Sequence, residues 1–109
     1  KLTGKGLHRA LKIGLDAIKL HPSEKWDGIW RIVFFDIPDK HKWERESFHR
    51  KLKDLGLYPL QKSVFITPYP CTEEIKFLCS FLNIHEHVKV IESPTIEKDG
   101  GLRKHFDLA

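Results

Sequence analysis

A carboxylate ends the most apolar run of this sequence. Segment 30–39 reads WRIVFFDIPD, so Asp36 follows the run directly and Asp39 comes three residues later. Asp36 could cap a helix, act as a catalytic acid, or bind Mg²⁺ or Mn²⁺, because hard cations prefer carboxylate oxygens. Such ions usually need more than one protein carboxylate, and two copies of Asp36 that meet across a two-fold axis would supply the second. Residue type alone favours a plainer alternative, in which both carboxylates satisfy backbone N–H groups around Pro38 and Asp39 caps the next helix.

A second set of chemistry-bearing residues is basic and recurs at helical spacing in the segment that follows. Its members are Lys42, Arg45, His49 and Lys53. Such a stripe could contact phosphates, and Arg45, His49 and Lys53 are the nucleic-acid-binding candidates of this segment. The alternative is a solvated helix face held by ion pairs such as Glu46 with Arg50 at i and i+4. The distribution of charge along the chain favours this alternative.

The net charge of the chain is +4, and all of it belongs to the N-terminal segment. Residues 1–25 hold six basic and two acidic side chains, whereas residues 26–109 hold thirteen of each sign. The second segment therefore has no net field that would attract a phosphate backbone. In the first segment, Lys5, Arg9 and Lys12 are the nucleic-acid-binding candidates.

Other kinds of site find little support in the sequence. Two cysteines cannot form a disulfide framework, which together with 31% charged residues predicts a reducing, cytoplasmic setting. The spacing of Cys71, Cys79, His85 and His87 matches no zinc-binding pattern. No apolar run approaches the roughly 20 residues that a membrane span requires, so we expect no membrane partner.

The hydrophobic periodicity predicts the elements that must position these residues. An amphipathic helix over 7–18 is expected to link a first region, residues 1–25, to a second, residues 26–109. In the second region, the segment 28–37 is apolar almost throughout, which predicts a central strand buried on both faces. The pattern then changes to that of a helix over 40–55.

Further along the chain, Gly56 is expected to end this first helix of the second region. Two short strands are predicted at 58–61 and 64–68. A helix capped by Thr72 follows, and a last strand is predicted at 87–93. The elements therefore run strand, helix, strand, strand, helix, strand.

This βαββαβ order predicts an α+β protein of the ferredoxin-like class, an antiparallel four-stranded sheet with both helices on one face. The tail, residues 95–109, contains a turn and then a short helix. Tails of this kind often cover a sheet edge or a partner subunit, because an exposed edge strand is a liability.

The segment WRIVFFDIPDKHKWERESFHRKLKDLGLYPLQKSVFITPYP resembles a domain that occurs in two kinds of protein. These are the small CRISPR-associated protein two nucleases and the central region of PaaX-type transcriptional repressors. The first shared motif is a hydrophobic strand that ends in Asp-Ile-Pro, and the second is LQKSVF at 60–65. Trp30-Arg31 at the start of the strand and Ile66-Thr67-Pro68 after the second motif are closer to the PaaX-type branch. The segment LTGKGLHRALK is similar to the end of a winged-helix domain and the linking helix that follows it.

The resemblance implies a homodimer and, in the regulators, DNA binding through a winged helix N-terminal to this chain. In the nuclease branch, the aspartate at the position of Asp36 is the proposed metal ligand and is contributed by both protomers. Asp36 would then be both metal ligand and catalytic residue, with Mg²⁺ as the cofactor. We expect instead the dimerising, non-catalytic domain of a PaaX-like DNA-binding regulator, which needs no cofactor. The alternatives are a metal-dependent endoribonuclease or endodeoxyribonuclease and a CRISPR-adaptation scaffold.

Overall fold

Four strands pair into a single antiparallel sheet. The computed structural model describes residues 14–20 and 25–108. The strands are β1 (Trp30–Phe35), β2 (Tyr58–Gln61), β3 (Val64–Thr67) and β4 (Val88–Ser93), in the spatial order β2-β3-β1-β4. The helices are α1 (Lys42–Asp54), α2 (Thr72–Leu82) and α3 (Gly100–His105), with 3₁₀ turns at Asp39–His41 and His85–His87. This arrangement confirms the ferredoxin-like α+β fold.

The core lies between one face of the sheet and the two longer helices. Val33, Phe35 and Phe65 point from β1 and β3 into this layer, and α1 contributes Phe48 and Leu52. The Phe35 and Phe48 rings meet edge to face with their centroids 5.1 Å apart. The buried stripe of α2 completes the layer; its members are Ile75, Leu78, Cys79 and Leu82. Both helices cover the same face, so neither of them shields the opposite face of the sheet from solvent.

β1 is central, as predicted, but the expectation that it is buried on both faces is wrong. Pairing with β3 and β4 places Ile32, Phe34, Val64 and Ile91 on the face away from the helices, together with Lys89. Phe34 is 36% exposed and Ile91 is 49% exposed. We call this set of five residues the open face. The apolar residues of β1 therefore divide between two faces of the sheet. One set packs in the helix-covered core, and the other set belongs to the open face.

The C-terminal tail covers one end of the sheet on the side of the open face. Trp30 is fully buried there, where its indole N–H donates to Asp99 at 3.0 Å and its ring lies 6.1 Å from that of Phe106. The Arg103 guanidinium stacks over the Trp26 ring at 4.7 Å and also donates to Asp99 at 3.0 Å. The predicted short helix thus becomes α3 and packs on the sheet of its own chain.

Two predicted helix caps are wrong. Asp39 is the first residue of a 3₁₀ turn whose N-cap is Pro38, and the N-cap of α1 itself is His41. Thr72 is likewise the first residue of α2, and Cys71 precedes it as the N-cap. Each residue therefore lies inside the first turn of its element and does not hold the N-cap position.

The predicted end of α1 is confirmed. Gly56 has φ +90°, a left-handed conformation that glycine adopts without strain from a Cβ atom. Its N–H donates to Lys53 O, and the N–H of Leu57 donates to Leu52 O at 3.1 Å. These are the two hydrogen bonds of a Schellman motif, which satisfy carbonyls that the helix itself leaves without a donor.

A buried arginine holds together the end of the sheet opposite Asp36. Arg31 lies in the central strand and is 4% exposed. Its guanidinium donates to both carboxylate oxygens of Asp27 at 3.0 and 2.6 Å, and to Glu92 of β4 at 3.1 Å. It also donates to the backbone carbonyls of Ile29 at 2.9 Å and Pro68 at 2.8 Å. The side chain therefore joins three segments of the chain at one point.

The predicted helix over 7–18 lies only in part within the described residues. Residues 14–16 are helical, and Leu15 is buried in the same core as Phe48. Lys5, Arg9 and Lys12 lie outside the described residues. Within the described ranges, no helix combines the length and the apolar character that a membrane crossing demands.

Candidate functional site

Asp36 stands at the point where the central strand leaves the sheet. Its N–H still donates to His87 O at 2.8 Å, whereas Pro38 has no N–H with which to continue the ladder. The carboxylate is exposed and lines an open depression of about 330 Å³. The other residues that line it are Phe34, Phe35, Ser63, Val64, Glu86, His87 and Lys89. The predicted position of Asp36, exposed at the end of the first strand, is therefore what the structure shows.

The donors around Asp36 in one chain do not fit a Mg²⁺ site. Glu86 and His87 lie in the same depression, and so does the cationic side chain of Lys89. Across residues 14–20 and 25–108, no three His, Cys, Asp or Glu side chains are grouped in a way that could hold a metal ion. A hard cation would thus need a carboxylate from a second chain.

Asp39 has a different environment from Asp36. Its carboxylate accepts a hydrogen bond from Arg45 at 2.5 Å, and the same guanidinium nitrogen donates to Ile37 O at 3.3 Å. The Arg45 hydrogen bond lowers the pKa of Asp39. Arg45 therefore anchors the loop between β1 and α1. The two aspartates that the sequence places three residues apart therefore have different surroundings.

Three predicted phosphate-binding candidates line one cavity. Arg45, His49 and Lys53 border a cleft of about 440 Å³ between α1 and the turn that joins β2 to β3. The other residues that line it are Phe35, Glu46, Arg50, Lys62 and Ser63. We call this cavity the basic cleft. Lys62 and Ser63 were not among the predicted site residues, because only the pairing of β2 with β3 brings their turn beside α1.

The remaining member of the predicted stripe lies outside the cleft. Lys42 pairs with Glu46 at 4.0 Å, so the observed ion pair of Glu46 differs from the predicted pair with Arg50. On the cleft wall, the His49 ring packs edge-on against Phe65 with the centroids 5.1 Å apart. Burial lowers the pKa of His49, and the charges of Lys53 and Lys62 lower it further. Its surroundings therefore disfavour the protonated form of the His49 imidazole in the free chain.

The cysteines and their neighbouring histidines form no common site. Cys71 and Cys79 are both buried free thiols, and burial raises the pKa of Cys71 to about 12 and that of Cys79 to about 11. The His85 ring instead lies 3.1 Å from the hydroxyl of Ser80. These thiols are core residues that resist deprotonation.

A protein-family model matches most of the chain. The family model of the PaaX protein central Cas2-like domain matches residues 23–104. The chain belongs to this family. No curated protein and no solved structure matches the chain. The match includes β1 to β4 and all of α1 and α2, so the open face, Asp36 and the basic cleft all lie within the PaaX central Cas2-like domain.

Proposed function

We propose that this PaaX central Cas2-like domain is the dimerising, non-catalytic part of a DNA-binding transcriptional regulator. The observation that carries the proposal is the open face. Family membership supports the assignment to a PaaX-like regulator. Among the described residues, one chain supplies too few ligands near Asp36 to hold a hard cation, so metal chemistry at this position would require both protomers.

The open face has the character of an interface. Single exposed hydrophobic residues are common on protein surfaces, whereas contiguous apolar patches mark sites of association. Here Phe34 lies between Val64 and Lys89 of the neighbouring strands, and Ile32 lies between Ile66 and Ile91. A second copy of the same face is a natural occupant, because a two-fold axis pairs one patch with itself.

DNA binding is assigned to the N-terminal side of the protein. All of the net positive charge lies in residues 1–25, and residues 26–109 carry equal numbers of acidic and basic side chains. An excess of cations favours a phosphate backbone because binding releases condensed counterions. We expect the full-length regulator to shift duplex DNA in gels, with an affinity that falls as salt is raised.

Sedimentation velocity over a range of concentrations tests the dimer. The variant Phe34→Glu places a charge in the centre of the open face, and loss of a hot-spot residue at the centre of an interface costs about 2 kcal/mol or more, or roughly 30-fold in Kd. The control is Phe77→Glu, which changes a 53% exposed phenylalanine on α2, away from the open face. We expect Phe34→Glu to sediment as a monomer and Phe77→Glu to dimerise like the unsubstituted chain.

Circular dichroism of both variants checks that each is folded, since Phe34 is partly exposed and its substitution leaves the core in place. A chain that stays monomeric up to roughly 100 µM would contradict the proposal, because a functional regulator dimer should be stronger than that. Equal dimerisation by Phe34→Glu and the unsubstituted chain would show that the open face is not the interface.

A further inference from the structure

The basic cleft combines residues from two separate elements. One wall is the face of α1 that carries Arg45, His49, Arg50 and Lys53. The other wall is the turn that carries Lys62 and Ser63, and Phe35 of β1 also lines the cavity. A side-chain cluster drawn from one helix would be ordinary surface, but here the fold closes two basic segments around one concavity.

The positive charge of the cleft is largely uncompensated. Arg45 is occupied by Asp39, and Glu46 is within 4.0 Å of Lys42. In the part of the chain that the structure describes, no carboxylate lies within 4.0 Å of the side-chain nitrogens of the other three cations. These three are Arg50, Lys53 and Lys62. Three such cations at one cavity repel one another unless an anion joins them.

The hydrogen-bond donors of the cleft suit a phosphate group. Arginine presents a planar fork of N–H groups that matches phosphate oxygens, and lysine contributes a compact point charge. Ser63 adds a hydroxyl that makes no hydrogen bond within the described residues. Carboxylate ligands are also anionic, but a phosphate monoester or a diphosphate offers more oxygens and more charge to donors that surround it.

We propose that the basic cleft binds the phosphate or diphosphate group of a small molecule. Two observations favour a small ligand over the backbone of a nucleic acid. The cations come from two separate elements and line one cavity of about 440 Å³. The region from residue 26 onward also has no net charge, and a polyanion is attracted mainly by net field. A local cluster within a neutral domain selects a compact anion.

Isothermal titration of the chain with inorganic pyrophosphate at low salt tests the site. Lys53→Gln and Lys62→Gln each remove one of the charges, one from each wall, and we expect each to weaken binding about tenfold. The control Lys76→Gln removes the same charge from an exposed position on α2, outside the cleft, and should change the affinity for pyrophosphate by less than about twofold. Equal losses in all three variants would show only a general response to net charge and would overturn the proposal, as would the absence of any binding of pyrophosphate.

A competition experiment separates the two sources of phosphate. Duplex DNA is added to the chain saturated with pyrophosphate, and the occupancy of the cleft is followed by NMR of the Ser63 and His49 signals. Retention of pyrophosphate supports a small-molecule site. Displacement by DNA, with DNA affinity that depends on Lys53 and Lys62 as strongly as pyrophosphate affinity does, would overturn the proposal in favour of a nucleic-acid contact.

The His49 ring supplies a readout that a purely structural role of the lysines would not move. The groups that face it are Arg45, Glu46, Arg50 and Lys53 on α1, Lys62 and Ser63 on the turn, and the rings of Phe35 and Phe65. A bound dianion favours the protonated imidazole, so NMR titration should show a higher pKa of His49 in the pyrophosphate complex than in the free chain. An unchanged pKa at saturation would place the anion elsewhere.

Discussion

The substitution Arg31→Met tests the network that joins three segments at one end of the sheet. Methionine keeps much of the side-chain length and none of the donors. It leaves the carbonyl of Pro68, a fully buried residue, without its 2.8 Å donor, and it removes the contacts to Ile29 O, Asp27 and Glu92.

The magnitude follows from the surroundings of each partner. A hydrogen bond from a charged donor to a buried carbonyl contributes about 1.5–3 kcal/mol. The side chains of Asp27 and Glu92 are 46% and 55% exposed. Their ion pairs are therefore screened by solvent and contribute at most about 1 kcal/mol each. We expect Arg31→Met to lower the free energy of unfolding by roughly 3 kcal/mol, within the range known for broken buried networks.

Urea unfolding followed by tryptophan fluorescence measures this loss. The matched control is Arg50→Met, which changes an exposed arginine whose guanidinium has no carboxylate within 4.0 Å in the described residues. We expect the control to change stability by less than about 0.5 kcal/mol. If Arg31→Met cost less than about 1 kcal/mol, the reasoning that assigns the network a stabilising role would be refuted.

The difference in stability between the unsubstituted chain and Arg31→Met should also depend on pH. The hydrogen bond from Arg31 holds the pKa of Asp27 below its ordinary value of 3.8. A folded-state pKa below the unfolded value means that the stabilisation is present above the unfolded pKa and is lost as pH falls through the folded one. The difference in stability between the unsubstituted chain and Arg31→Met should therefore narrow below about pH 4 and stay constant near neutrality.

Two further predictions concern Asp36 and Gly56. Because the proposed role is non-catalytic, millimolar Mg²⁺ should leave the Tm of the unsubstituted chain and of Asp36→Asn equally unchanged; a Mg²⁺-dependent rise, or cleavage of RNA or DNA, that Asp36→Asn abolishes would instead establish Asp36 as a metal ligand. Gly56→Ala should cost about 1–2 kcal/mol in urea unfolding, because φ is +90° and no atom within 4 Å would contact the new Cβ, so backbone strain is the whole effect. The control Gly101→Ala in α3 should be stabilising by up to about 1 kcal/mol, and a comparable loss in both variants would contradict this explanation.

Local patterns in the sequence were sufficient for the order of the elements. Runs of β-branched and aromatic residues, helical periodicity and the glycine at position 56 depend on contacts within a few residues of the chain, and these predicted β1 to β4, α1 and α2 closely. The cap at Thr72 was misplaced by one position and the cap at Asp39 by two, because α1 begins only after a 3₁₀ turn and has His41 as its N-cap.

Side chains that act together across the sheet could not be found in this way. In the sequence, Arg31 is a single charged residue within an apolar strand. Its acceptors come from distant segments, because β1 pairs with β4, which carries Glu92, and because Pro68 O lies beside the Arg31 guanidinium. Lys62 reads as a turn residue, and only the packing of α1 against the sheet places it in the basic cleft.

The sequence by itself determined the class of fold, the exposed carboxylate at the end of the first strand and the concentration of net charge in residues 1–25. These properties follow from local periodicity and composition. The tertiary structure alone decided that the apolar residues of β1 divide between a covered core and an open face, because hydrophobicity does not state which side of a sheet the helices will cover. It also decided which cations remain without partners, since that depends on distances between segments far apart in the chain.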